Sequence, residues 1–104
     1  MSRGGGQRRS GPEEAPGRQR IDKWLWHARV VRTRTDAAAL VAGSKVRIDG
    51  QRVTAPGHAV RLGQVVTVAL DRQIRVLRVT GFAERRGDAA SAAGLYEALT
   101  GTIF

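Results

Sequence analysis

The chain has 104 residues, a formal net charge of +9, a sequence pI of about 11.7 and no cysteine. That length allows one small domain, and the missing thiols exclude a disulfide scaffold and a cysteine-based zinc finger. Of the 18 basic residues, 16 are arginine and only Lys23 and Lys45 are lysine, a bias toward the planar donor fork that matches phosphate oxygens and stacks on bases. The charge therefore points to nucleic acid. An anionic membrane surface is the rival partner, but no long amphipathic basic helix is visible, and no apolar run approaches the roughly 18 residues that span a bilayer.

Residues 1–19 are rich in glycine, proline, serine, arginine and glutamate. Such a segment buries too little apolar surface to offset its ordering entropy, so it is expected to be a disordered basic tail. It has no apolar stretch of the kind a secretory signal needs, so the cytoplasm is the expected location.

From Ile21 the pattern changes. Ile21, Trp24, Leu25, Ala28 and Val31 recur at helical spacing and predict a first helix with one apolar face, and Asp22 in its first turn suits the helix dipole. Thr33 followed by Asp36 resembles a capping box opening a second helix of about nine residues. Ala37, Leu40 and Val41 form its buried stripe, and Gly43 is expected to be the left-handed residue that ends it. A helix this short does not hold alone in water, so it must pack on the first.

Strands follow. Val46 and Ile48 alternate with Lys45, Arg47 and Asp49, and Asp49-Gly50 is a type I′ hairpin signal before Val53. Pro56-Gly57 breaks the chain, then Val60 and Leu62 lead to a turn at Gly63-Gln64. Val65 to Leu70 and Ile74 to Val79 read as an antiparallel pair around Asp71-Arg72-Gln73. Asp88 is placed to cap a weak terminal helix over Ala89 to Leu99. The expected architecture is α+β: two packed N-terminal helices, a small antiparallel sheet on one side of them, and a short C-terminal helix. The expected divisions are a tail over 1–19, a domain over 20–86 and a C-terminal extension over 87–104.

The basic residues are concentrated rather than scattered. Arg29, Arg32, Arg34, Lys45, Arg47 and Arg52 fall within residues 29–53, against only Asp36 and Asp49. A helix start attracts phosphate through its dipole and unpaired N–H groups, and Arg34 sits there with Arg29 and Arg32 just before it. Lys45 and Arg47 alternate with apolar residues and so point away from the core, and Arg52 follows on the same hairpin. If the hairpin folds beside the helix start, these groups form one positive surface. Taken singly, each is an ordinary solvated cation; taken as a set, they favour binding. Arg20 and Lys23 open the first helix, where positive charge opposes the dipole. Either a phosphate compensates, or Arg20 pairs with a nearby carboxylate.

Trp24 lies on the apolar stripe and belongs to the core. Trp26 falls opposite it. It is either covered by the segment carrying Leu95, Tyr96 and Leu99, which is the favoured reading, or open to stack on a base. His27 and His58 lack metal-ligand spacing, no nucleophile–base arrangement is readable, and the glycines form no phosphate-binding loop. No catalytic residue, metal, cofactor or small-molecule substrate is expected.

The segment RIDKWLWHARVVRTRTDAAALVAGSKVRIDGQRV resembles the alpha-L, or S-four, RNA-binding domain. The pattern is carried by Arg20-Ile21-Asp22, Thr33-Arg34, Ala38, Gly43, Val46 and Asp49-Gly50. The stretches DKWLWHAR, RTR, GSKVRIDGQR and ERRG with LYE resemble more narrowly the ribosome-associated heat-shock protein 15 family of bacteria. A monomer is expected, and the resemblance implies a protein that binds ribosomal RNA on the large ribosomal subunit. The subunits in question dissociated while holding peptidyl-tRNA, and the protein helps return them to use after heat stress. It implies RNA contacts at Arg20, Lys23, Arg32, Thr33, Arg34, Lys45, Arg47 and Arg52. Two departures stand out. Asp49 takes a position where many members have asparagine, and the sequence ends at Gly101-Thr102-Ile103-Phe104 without the long basic tail of some members. The rival readings are a ribosome-assembly or translation-control module, a DNA-binding helix-turn-helix protein, and an RNA-modifying enzyme. A short, alanine-rich second helix speaks against the DNA reading. The enzyme would need a catalytic domain after the point where this sequence ends.

Overall fold

A computed structural model describes residues 17–83 and 92–99. It opens with strand β1 (Arg18–Arg20), followed by helices α1 (Ile21–His27) and α2 (Arg34–Ala42). Six strands follow: β2 (Val46–Ile48), β3 (Gln51–Val53), β4 (Ala59–Arg61), β5 (Val65–Ala69), β6 (Ile74–Val79) and β7 (Tyr96–Ala98). β1 and β4 form a two-stranded antiparallel ribbon. The other strands form a five-stranded antiparallel sheet in the order β3-β2-β5-β6-β7. The α+β architecture with two helices and an antiparallel sheet is as the sequence predicts.

The core lies between the helices and one face of the five-stranded sheet. Ile21, Trp24, Leu25, Ala37 and Val41 come from the helices; Val46, Ile48, Val66, Val68, Leu77 and Val79 come from alternate strand positions. The Trp24 ring is fully buried, and its indole N–H donates to the Gly81 carbonyl at 3.1 Å, so burial leaves no orphaned donor.

Both helices end in the same way; the second has the expected nine residues, but the left-handed residue that closes it is not the expected one, and the first stops short of Val31. In α1 the Arg29 N–H bonds the Trp26 carbonyl and the Val30 N–H bonds the Leu25 carbonyl. In α2 the Ser44 N–H bonds the Val41 carbonyl and the Lys45 N–H bonds the Leu40 carbonyl. Each is a Schellman motif, with Arg29 (φ 61°) and Ser44 (φ 65°) as the left-handed residue. The predicted first helix therefore stops at His27, and Val31 lies beyond it. Gly43 is not the left-handed residue: its φ is −85°. A Cβ there would lie 3.0 Å from the Ala39 carbonyl oxygen, which is the steric reason for glycine.

The hairpin turn is as predicted, with Asp49 (φ 52°) and Gly50 (φ 83°) both left-handed, as a type I′ turn requires. The C-terminal helix over Ala89 to Leu99 is corrected within the described residues. Ala92 and Ala93 have helical backbone, but Tyr96–Ala98 is strand β7, paired with β6 in the register Leu77↔Ala98, Arg78↔Glu97 and Val79↔Tyr96. The open edge of β6 offers ladder partners that a weak helix forgoes, and Leu95 becomes buried against the core. Residues 89–91 lie outside the described residues. The composition shift also misses β1: Arg18 and Gln19 stand opposite Arg61 and Val60, and the Gln19 amide donates to the Ala83 carbonyl at 2.8 Å.

Candidate nucleic-acid interface

The start of α1 is held by the loop before β4. The Ile21 N–H donates to the His58 carbonyl at 2.8 Å and the Asp22 N–H to the Pro56 carbonyl at 3.2 Å. These bonds satisfy two donors that a helix start otherwise leaves open. They also fix Asp22, whose side chain is only 6% exposed. Arg20 grips its carboxylate with two parallel bonds, Nε to Oδ1 and Nη2 to Oδ2, both 3.0 Å. Arg34, the first residue of α2, brings Nη2 to 3.5 Å from the same Oδ1. The carboxylate alternative for Arg20 is thus realised, and the partner is Asp22. The guanidinium of Arg20 also lies against Gly57, 3.6 Å from where a Cβ would sit.

Thr33 caps α2: its hydroxyl accepts from the Asp36 N–H at 3.0 Å. The Thr33–Asp36 signature therefore marks the helix start as predicted, with the hydroxyl engaged in the cap.

On the sheet, Arg47 and Arg52 are exposed and directly opposite one another across the β2–β3 ladder. Their neighbours Val46, Ile48 and Val53 are buried, so the arginines point away from the helix layer. Lys45 and Arg32 meet at a different place, lining an open cleft between α2 and the β5–β6 turn, where Arg72 joins them beside Leu40 and Leu70. Lys23 is half-buried on α1, and Arg29 is exposed at the corner between the helices. The predicted cations thus fall into separate groups: Arg20 with Arg34 around Asp22, Arg47 with Arg52 on the outer sheet face, and Arg32 with Lys45 in the cleft.

Asp49 is exposed, and its carboxylate is engaged by the backbone and a side chain at the start of the neighbouring strand. Its Oδ1 accepts from the Val65 N–H at 2.9 Å and its Oδ2 from the Gln64 amide at 3.4 Å, while its own N–H donates to the Val65 carbonyl at 2.8 Å. The carboxylate extends the β2–β5 ladder past the turn.

Sequence reasoning missed a second pair of facing arginines. Arg18 and Arg61 are register partners across β1 and β4. The signal was hidden because a strand at Arg18 was not readable, and without it no register exists. Two further arginines have partners on the sheet: Arg78 stands 4.0 Å from Glu97 in an exposed pair, and Arg75 lies 5.5 Å from the Tyr96 ring centroid. The Trp26 ring is half-buried and tilted against His27, with centroids 5.2 Å apart.

The arrangement resembles known proteins. The S4 domain model matches residues 19–66, the span from β1 into β5 that holds all three cationic groups apart from Arg72. A heat shock protein 15 homolog of Aeromonas salmonicida is 41% identical over 86 residues, covering 83% of this chain and 64% of that protein. Heat shock protein 15 of Escherichia coli K12 is 40% identical over 78 residues, covering 75% and 58% respectively. A structure of Vibrio cholerae heat shock protein 15, described as trimeric, superposes with a TM-score of 0.74 at 32% identity, covering 80% of this chain and 83% of that one. The two helices and the hairpin that follows them lie within the match to the S4 domain, and the fold is that of an S4-domain protein. Within that class, the chain belongs to the heat shock protein 15 family. It spans a little under two-thirds of the length of the Aeromonas and Escherichia relatives.

Proposed function

We propose that the chain is a non-catalytic RNA-binding protein that grips structured ribosomal RNA on the large ribosomal subunit. Its biological setting is the return to use of subunits stalled with peptidyl-tRNA during heat stress. The carrying observation is the pair of exposed, directly opposed arginines, Arg47 and Arg52, on a hairpin inside the S4 match. Like charges opposite each other on a sheet destabilise the ladder, and neither makes an ion pair among the described residues. A polyanion removes that repulsion by sitting over both. The resemblance to a ribosome-associated family supports the ribosomal context, and the net charge of +9 supports electrostatic steering. RNA contacts are assigned to Arg20, Lys23, Arg29, Arg32, Thr33, Arg34, Lys45, Arg47 and Arg52, with phosphate and shape rather than base edges as the target.

The test is binding of structured large-subunit RNA across a salt series, with duplex DNA as competitor. The proposal requires a steep fall of affinity with salt, on the order of 0.9 log units per log unit of salt for each phosphate held. It also requires preference for the RNA. Sedimentation of lysate with the protein tracked across subunit fractions tests the large-subunit assignment, and its accumulation on the small subunit overturns that part. The protein is proposed to act as a monomer, which light scattering checks against the trimer described for the Vibrio protein.

A further inference from the structure

We infer that Asp22 is a positioning residue for RNA binding, holding the guanidinium groups of Arg20 and Arg34 together so that they meet phosphate as one unit. The inference rests on the RNA-binding reading and adds to it the means by which two cations from different elements are brought together. A buried carboxylate is an odd feature in an RNA-binding surface, since its charge repels phosphate. Its geometry explains its presence. Arg20 ends β1 and Arg34 begins α2, so no backbone ladder joins them. Asp22 does: it takes two parallel bonds of 3.0 Å from Arg20, and Arg34 lies 3.5 Å from the same oxygen.

The carboxylate is only 6% exposed, whereas the arginine side chains keep 34% and 41% of their surface open. The anion is therefore screened from incoming RNA by the two cations it holds, and the cluster presents net positive charge outward. A guanidinium has five N–H donors, and the carboxylate draws on two nitrogens of Arg20 and one of Arg34. Fixing the plane of Arg20 and drawing Arg34 to the same oxygen in advance reduces the side-chain ordering that the pair otherwise undergoes on binding. The bonds from Ile21 and Asp22 to the loop at Pro56 and His58, and the close passage of Arg20 over Gly57, hold the anchor itself in place.

The sign of one substitution decides the matter. If Asp22 acts only as a local negative charge, Asp22→Asn strengthens RNA binding. If it positions the arginines, Asp22→Asn weakens binding by about tenfold or more, the loss expected when charge-assisted contacts to phosphate lose their alignment. It also lowers the salt slope by about 1–2. The loss must vanish in an Arg20→Ala/Arg34→Ala background, because a positioning residue has nothing left to position. Binding of the full chain to structured large-subunit RNA is the readout, with folding of each variant checked by circular dichroism. Should Asp22→Asn fail to fold, Asp22→Glu retains the charge and shifts the carboxylate by one methylene, so a loss of RNA affinity in that folded variant again supports positioning. Wild-type or tighter binding by a folded variant overturns it. Failure of the wild-type chain to bind the RNA is a different result: it overturns the RNA-binding reading, and the role of Asp22 falls with it.

Discussion

Arg47 and Arg52 face each other across the β2–β3 hairpin, on the side of the sheet away from the helices. Removing either should act in opposite directions on stability and on binding. Arg47→Ala is expected to stabilise the fold by about 0.2–1 kcal/mol by relieving the cross-strand repulsion. It is also expected to weaken RNA binding and reduce the salt slope by about one. Urea unfolding and a salt series of RNA titrations read the two effects separately, and an unchanged slope removes this face from the interface.

Asp49 separates its structural and electrostatic roles in the same manner. Its carboxylate bonds the Val65 N–H, so Asp49→Ala should cost about 0.5–1.5 kcal/mol in chemical unfolding. Asp49→Asn keeps an acceptor oxygen for that N–H and tolerates the left-handed turn, so stability should stay near wild type. Beside Arg47 and Arg52, loss of the negative charge should tighten RNA binding. Weaker binding by the asparagine variant contradicts this account.

The helix ends offer a stabilising change. Ser44 is exposed and sits at φ 65°, a conformation glycine adopts without steric cost. Ser44→Gly should raise stability by about 0.5–1 kcal/mol and leave RNA affinity unchanged, as thermal unfolding and titration would register. Destabilisation would mean that the serine side chain supports the corner.

Leu95 ties the turn before β7 to the core, and the backbone N–H groups of Thr80 and Gly81 both donate to its carbonyl. Leu95→Ala should destabilise by about 2–4 kcal/mol and expose the β6 amides to hydrogen exchange earlier than those of β2. Uniform exchange across the sheet would argue against β7 as a separately opening strand.

Much of this fold is legible where the signal is local. The Thr33 cap and the Asp49-Gly50 turn depend on residues next to each other in sequence, and both form as predicted. Trp24 lies on an apolar stripe and is buried. The helix ends are less legible, because the left-handed positions fall on Arg29 and Ser44 rather than on glycine. β7 is misread for another reason. Leu95, Tyr96 and Leu99 satisfy helical spacing equally well, and only the vacant edge of β6 decides between the two structures. The interface shares this limit. The charge cluster is visible in the chain, but its division depends on register and on Asp22, and the Arg18↔Arg61 pair depends on a strand invisible to composition.

The five-stranded sheet is finished at its two margins by β3 and β7, three residues each, carrying Arg52 and Glu97 as their outward side chains. Short, charged border strands are poor templates for pairing with a neighbouring chain. The margins of this sheet therefore offer a second copy of the chain little backbone to add to.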